Sequence, residues 1–302
     1  MRTFERLTDE VAGRVLMLAE DVAGHDGVAA LSEQPLLELR HPVRDVRHVL
    51  VGGDDDPSGA LAGYAQLDVV AGSAELAVHP GHRRRGIGRA LLDAVRDLAP
   101  GVAVWAHGDL PAARALAASA DMERVRELLQ MAVDLPVLGV PDDTRPAAHG
   151  LTRVRTFRSG QDEEAWVRLN ARAFSTHPEQ GRMTVEDLRA RQAEDWFDPS
   201  VLWLVPDPEA RGGDERLLAS MWVKIEPHDG GAPVEGEIYA LGVHPDAQGR
   251  GLGGRLTSLA LAEMAARGLR RATLYVEGDN APALRTYERN GFRCVATDVQ
   301  YR

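Results

Sequence analysis

Cysteine and lysine are nearly absent from this 302-residue chain. The single cysteine, Cys294, excludes a disulfide framework and any Cys-rich metal site. Lys224 is the only lysine, so arginine carries almost all the positive charge. That bias reads as genome composition and weakens any argument from arginine runs. No apolar run approaches the ~20 residues that span a bilayer, and the opening MRTFERLTDE lacks the apolar core of a secretory signal. A basic excess is missing too: 46 acids against 35 bases leave a net charge of −11, which disfavours a nucleic-acid partner. These absences predict a cytoplasmic, monomeric protein with neither membrane nor nucleic acid as partner.

What is present is a duplication. ELAVHPGHRRRGIGRAL begins at Glu75, and ALGVHPDAQGRGLGGRL begins 165 residues later at Ala240. Leu, Val, His, Pro, Arg, two glycines and a final Leu coincide. A period this long points to duplicated domains, not a solenoid. Each copy opens with a strand and helical segments. Each then reads as three β-like runs, the Gly-rich loop, an amphipathic helix, a strand, a short helix and a last strand. The helices are expected over Gly86 to Leu98 and Gly251 to Arg267. Pro-rich, aperiodic LPVLGVPDDTRPAAHG suggests a linker over 138–149, with domains 1–137 and 150–302. The expected fold class is α/β (α+β). Each domain is a mixed, mostly antiparallel sheet flanked by helices, parallel only across one βαβ crossover.

Both loops sit where a strand hands over to a helix. Unpaired N–H groups and the helix dipole favour an anion there, and glycines let a phosphate approach the backbone. A P-loop would need Lys and Ser or Thr after the last glycine, and neither copy has them. The dinucleotide pattern G-x-G-x-x-G does occur at Gly249, Gly251 and Gly254, with Glu277 at the end of the next strand. His244 to Gln248, however, intervene between strand and first glycine, and Arg84 replaces that glycine in the first copy. The pattern both copies fit is Gln/Arg-x-x-Gly-x-Gly: Gln248, Gly251, Gly253 and Arg83, Gly86, Gly88.

This pattern, with NAPALRTYERNGF downstream, resembles the GNAT superfamily of acyl-CoA N-acyltransferases. AELAVHPGHRRRGIGRA, WAHGDLPAAR, HPEQGRMT, EDWFDP and LYVEGDNAPALRTY further resemble the tandem-domain mycothiol synthase family, along essentially the whole chain. The resemblance implies an acetyl-CoA cosubstrate and no metal. Its pyrophosphate would meet Gln248, Gly249, Arg250, Gly251, Leu252, Gly253 and Gly254, and its pantetheine arm Leu241, Gly242 and Val243. Asn280, Ala281, Ala283, Leu284 and Arg285 would complete that site. A second CoA would lie along Leu76, Ala77, Val78, Arg84, Arg85, Gly86, Ile87, Gly88 and Arg89 of the first domain. The implied acceptor is a small-molecule amine, the cysteinyl amine of Cys-GlcN-Ins.

N-acetylation requires a deprotonated amine, a stabilised oxyanion and a protonated leaving thiol. Glu237 heads the strand EIYALGV. Alternation would point Glu237, Tyr239 and Leu241 to one face, which suits Glu237 as base, with Glu235 a competitor. The resemblance assigns Tyr287 as general acid; otherwise it reads as a core tyrosine. It also implies Glu33, Glu179, Lys224, Glu237 and Tyr275 as acceptor contacts. His79 and His244 read as strand ends rather than metal ligands, and Cys294 as a small buried hydrophobe. No activated serine or cysteine is evident, so direct transfer is expected. At an offset of 165 Glu237 falls on Gly72, and at an offset of 170 downstream Tyr287 falls on Ala117, so the first domain should bind CoA without chemistry. An enzyme for another amine or peptide N-terminus, and a non-catalytic acyl-CoA sensor, remain open alternatives.

Overall fold

The structure, a computed structural model, describes residues 1–42, 44–52, 59–151, 153–175, 180–210, 216–227 and 234–302. Two compact units emerge: Met1–Leu128 with Thr297–Arg302, and Leu129–Ala296.

The first unit begins with β1 (Arg2–Phe4), α1 (Asp9–Asp26) and α2 (Glu33–Arg40), followed by β2 (Val46–Gly52), β3 (Leu61–Asp68) and β4 (Ser73–Val78). Next come α3 (Ile87–Leu98), β5 (Ala103–Ala106) and α4 (Pro111–Ser119). β1 to β4 pair antiparallel in chain order, and β4 pairs parallel with β5. α1 starts at Thr8, whose hydroxyl accepts from the Val11 N–H, and stops at Gly27 in the left-handed region. Its buried stripe of Val15, Leu18, Ala19 and Val22 packs with Leu50 and Tyr64 on one face of the sheet. α3 buries Leu91, Leu92 and Val95 against Ala65, Leu67 and Val104.

The second unit holds β7 (Arg155–Thr156), α5 (Glu163–Ala173), α6 (Val185–Gln192), β8 (Leu202–Pro206), β9 (Leu217–Lys224) and β10 (Glu235–Val243). They are followed by α7 (Leu252–Ala266), β11 (Arg271–Glu277) and α8 (Ala281–Arg289). β7 to β10 pair antiparallel, and β10 pairs parallel with β11. α7 buries Leu256, Leu259, Ala260 and Met264 in a cluster with Met221, Ile238 and Leu274. An aromatic cluster, including Trp166, Trp196 and Trp222, sits with α5 and α6.

Each copy is thus a mostly antiparallel sheet flanked by helices, as the alternation suggested, and α3 and α7 begin one residue inside the expected starts. The division of the chain differs from a simple cut between copies. The last strand of the first copy, β6 (Arg124–Asp134), lies largely in the second unit from Leu129 onward. The last strand of the second copy, β12 (Arg293–Tyr301), delivers Thr297–Arg302 to the first unit. There Val299, Gln300 and Tyr301 pair antiparallel with Ala106, Trp105 and Val104. The segment 138–149 also belongs to the second unit. Its His149 is buried, and a ring nitrogen lies 2.8 Å from the Ser258 hydroxyl on α7. Cys294, expected inside, is exposed on β12; it precedes the stretch of that strand where side chains are covered.

Val299 is fully buried and Gln300 nearly so. Deleting residues 297–302 should therefore cost the first unit at least about 3 kcal/mol, the scale of losing one large buried apolar side chain with its neighbours. Denaturant melts of full-length and truncated protein check this; equal midpoints would contradict the strand assignment.

Candidate active site

Parallel pairing of β10 with β11 covers only Glu235 to Ile238 against Arg271 to Leu274. Beyond Ile238, among the described residues, β10 pairs with β9 alone. The strands part, and the β10 edge from Tyr239 to Val243 is left for another partner. Amide groups of an extended ligand can pair with such an edge.

β10 also carries a bulge. Its register against β9 slips between Ile238 and Ala240, which makes Tyr239 the extra residue. This corrects the expectation that Glu237, Tyr239 and Leu241 share a face. Tyr239 packs in the aromatic cluster beside α5 and α6, whereas Leu241 and Val243 turn to the α7 side. Glu237 stands opposite Lys224 in register, and directly opposed residues share a face. Lys224 lies over Trp196 and Tyr239, with its ammonium 4.8 Å and 5.8 Å from the ring centroids. Glu237 therefore faces the aromatic side. Glu235, the competing carboxylate, is half exposed at the strand end and ion-paired with Arg271 at 3.4 Å.

The loop after β10 is tied down locally. The His244 ring accepts from the Asp246 N–H at 3.2 Å, and the Gln248 amide donates to the Val243 carbonyl at 3.4 Å. Gly249 and Gly251 have φ of 74° and 75°, the left-handed region where glycine costs least. α7 then starts at Leu252 with no side-chain cap, so its first N–H groups lack intrahelical partners and point at the loop. A Cβ added at Gly254 would meet nothing within 4 Å, so packing among the described residues does not require a bare backbone there. Downstream, Asn280 caps α8 by accepting from the Ala283 N–H at 3.2 Å. Tyr287, on α8, is 7% exposed and edge-on to Phe292 at 5.8 Å. Burial pushes its hydroxyl pKa well up, so the proton stays on at neutral pH. Of the other expected contacts, Tyr275 is exposed on β11, Glu33 is the first residue of α2 in the first unit, and Glu179 lies outside the described residues.

The first unit repeats the loop bond for bond. The His79 ring accepts from the Gly81 N–H at 3.1 Å, and Arg83 Nε donates to the Val78 carbonyl at 3.2 Å. Arg84 takes the left-handed conformation of Gly249, with φ of 62°. The rest of Arg83 forms a two-pronged ion pair with Asp26 at 2.8 and 2.7 Å. Beside this loop lies a cavity of about 600 Å³, lined by Leu76, Val78, Arg84, Gly88, Trp105 and His107 among others, a size typical of small-molecule sites. β4 and β5 also part early, after Ala74 and Val104.

The chemistry beyond the loop differs. β4 has no register shift against β3, so the residue opposite Asp68, as Glu237 is opposite Lys224, is Ser73. This corrects the alignment of Glu237 with Gly72: the bulge moves it by one. Neither residue is a base. Across the parted strands runs a buried network. The Glu75 carboxylate accepts from the Ser32 N–H at 2.6 Å and its hydroxyl at 2.5 Å. His107 lies 3.1 Å from Glu75 and 3.1 Å from Asp298. Burial opposes charge on His107, but the two carboxylates outweigh it and hold its pKa up to about 10. Burial likewise acts to raise Glu75, and His107 with Ser32 outweighs it. An imidazolium clamped between two carboxylates is no base. Among the described residues no His, Cys, Asp or Glu group could hold a metal ion, and no helix is long and apolar enough to cross a membrane.

A mostly antiparallel sheet with one parted parallel pair, a bulged strand and a Gly-rich helix start defines a GNAT acetyltransferase. The sequence matches the Acetyltransferase (GNAT) family over residues 164–292 and the Acetyltransferase (GNAT) domain over 45–119. Among curated proteins it is 49% identical to a mycothiol acetyltransferase of Beutenbergia cavernae, covering 96% of this chain and 95% of that one. It is 50% identical to that of Thermomonospora curvata, covering 98% and 95%. The chain belongs to the mycothiol acetyltransferase family. Among solved structures, a tandem GNAT protein from the clavulanic acid pathway matches with TM-score 0.63 at 22% identity, covering 99% of this chain and 96% of that one. A GCN5-related N-acetyltransferase from Sphaerobacter thermophilus matches with TM-score 0.64 at 22% identity, covering 99% and 94%. These two likenesses concern the fold.

The clamped triad sets a pH dependence. His107 has a folded pKa above its unfolded value of about 6.5. Its contribution is complete below that value and is lost as pH rises toward 10. His107→Gln should destabilise the protein by about 3–5 kcal/mol near pH 6, the cost of breaking a buried pair. The gap between variant and parent should shrink as pH climbs to 10. Melts at pH 6, 8 and 10 measure it; a pH-independent gap would show that His107 is not held charged.

Proposed function

We propose that this enzyme transfers the acetyl group of acetyl-CoA directly to the cysteinyl amine of Cys-GlcN-Ins, forming mycothiol. The observation that carries the proposal is the cross-strand pair of Glu237 and Lys224 beside the parted edge of β10. A carboxylate and an ammonium beside that edge would suit an acceptor amine meeting a thioester along it, which supports the reading. The near full-length likeness to mycothiol acetyltransferases supports the choice of acceptor.

In this reading Glu237 removes the proton from the acceptor ammonium, directly or through one water. The amine nitrogen attacks the thioester carbonyl carbon. The oxyanion that forms meets a backbone N–H on the Leu241–Val243 stretch, a donor fixed before reaction begins. As the C–S bond breaks, the Tyr287 hydroxyl gives its proton to the departing sulfur, and the new amide nitrogen gives up its extra proton to the resulting phenolate, restoring the tyrosine. The pyrophosphate rests on Gln248 to Gly254 at the start of α7, with Asn280, Ala281, Ala283, Leu284 and Arg285 nearby in sequence to the acid. Lys224, Tyr275 and Glu179 contact the polyol portion of the acceptor. The first unit, with its own loop and cavity, binds a second CoA through Arg84 to Arg89 and Leu76 to Val78 and does no chemistry, its proton-transfer positions being Ser73 and Ala117.

Glu237→Gln should cut kcat roughly 10²–10⁴-fold, the range for losing a general base, with the KM for acetyl-CoA unchanged. Steady-state thiol release checks this, and normal turnover at neutral pH would remove Glu237 from the mechanism. Mass spectrometry of the product from Cys-GlcN-Ins and acetyl-CoA tests the acceptor: no mass gain of one acetyl group would reject it.

A separate outcome concerns Lys224. Lys224→Ala should raise the acceptor KM at least about tenfold, as loss of a charge-assisted contact does, and leave the acetyl-CoA KM alone. The reverse pattern would move Lys224 to the cosubstrate side.

A further inference from the structure

The aromatic cluster beside Glu237 has more order than a core requires. Trp196, on the segment after α6, has its ring centroid 5.7 Å from Trp222 and 5.2 Å from Tyr239. Tyr239 is in turn edge-on to Trp222 at 4.8 Å. Against these rings lies the chain's only lysine, with its ammonium 4.8 Å from Trp196 and 5.8 Å from Tyr239. Lys224 is 8% exposed. A buried ammonium is unfavourable unless its charge is met. Here two ring faces and the Glu226 carboxylate, 2.7 Å away, meet it. The attraction comes from the negative ring face and is strongest for tryptophan.

The second ring is itself pinned. Buried Arg191, on α6, donates from Nε to the Tyr239 hydroxyl at 2.5 Å and from its terminus to the Asp187 carbonyl at 3.0 Å. Asp187 closes the Thr184 capping box that starts α6. The α6 segment thus fixes both rings, and the rings fix the ammonium. Tyr239 is also the bulge residue, so the same side chain that the bulge turns toward α6 forms one side of the lysine's seat. A flexible four-carbon stem is thereby held in one place opposite the carboxylate of Glu237.

We propose that Trp196 is a positioning residue for the acceptor: its indole face holds the Lys224 ammonium beside Glu237, and it acts on catalysis only through that lysine. This rests on the reading of Lys224 as an acceptor contact. Trp196 is 7% exposed and part of the core, so Trp196→Leu combines loss of the ring face with loss of packing. The decisive series keeps the shape: tryptophan carrying one, two and three fluorines, placed at position 196 alone, which drains the ring face without changing its volume much.

The acceptor KM for Cys-GlcN-Ins should climb stepwise with fluorine count, to roughly 2- to 30-fold overall, while the acetyl-CoA KM and the melting temperature stay level. Trp196→Phe should fall near the middle of the series, since it keeps a weaker ring face. In a Lys224→Ala background the fluorine effect should vanish, because a residue acting through a missing partner has nothing left to position. A flat fluorine series, with Lys224→Ala still raising the acceptor KM, overturns the role of Trp196 and leaves the acceptor reading standing. A fluorine effect that persists in full without Lys224 also overturns it. An acceptor KM unmoved by Lys224→Ala defeats the acceptor reading itself.

Discussion

Everything at the second unit's site depends on two parallel strands that stop pairing. β10 and β11 share four residue pairs and then part. Open backbone edges are unfavourable in a folded protein unless something meets them, so the parting must be held by what lies on either face. One side is the aliphatic cluster under α7, with Leu256, Leu259 and Met264 fully buried. The other is the aromatic cluster beside α5 and α6. Gly242 permits the close approach on that side: a Cβ there would come within 3.3 Å of Ala173. The two cores hold β10 against β9 past the point where β11 parts from it, and leave an edge there.

The first unit obeys the same constraint with a different answer. β4 and β5 share two residue pairs before parting, and side chains span the gap, Glu75 reaching His107. The face that is aromatic in the second unit is polar here. Counting along the registers, Gln66 takes the place of Trp222, Tyr64 that of Ser220, His48 that of Leu202 and Glu75 that of Ala240. His48 and Gln66 each lie 2.7 Å from the Tyr64 hydroxyl. Such a network is costly when half satisfied and rigid when complete. Here its members satisfy one another and offer no acceptor surface.

The duplication, the sheet class and the helix starts were legible because each rests on local pattern. Val-rich alternation marks a strand whichever sheet receives it. For that reason β6 and β12 were readable as strands, yet their exchange between units was not. The bulge at Tyr239 was hidden for a related reason. One extra residue leaves the apolar rhythm of EIYALGV intact while turning Leu241 away from Glu237. Arg191 and Trp196 lie far from Lys224 in sequence, and only the fold brings them to it. EDWFDP offered a faint signal, an aromatic pair between acids. The linker looked unstructured because its anchors, His149 on Ser258 and Val140 on the aliphatic cluster, meet partners far away in sequence.

The two copies also show why the loop is more independent of its surroundings than the strand geometry beside it. Each tie in the loop spans five residues or fewer: a histidine bonding two residues ahead, an Arg or Gln bonding five residues back, two left-handed residues, then a helix start. No distant substitution breaks it. Even Arg84 holds a conformation that glycine holds in the other copy, at about 1–2 kcal/mol. The acyl end has no such independence. Placing a carboxylate opposite Lys224 requires the bulge on one strand, the register of its neighbour and aromatic support from α6 together. Loss of one inserted residue puts Ser73 where Glu237 would stand and leaves the loop untouched. A duplicated copy can therefore keep the loop while the strand geometry beside it differs, as the first unit does.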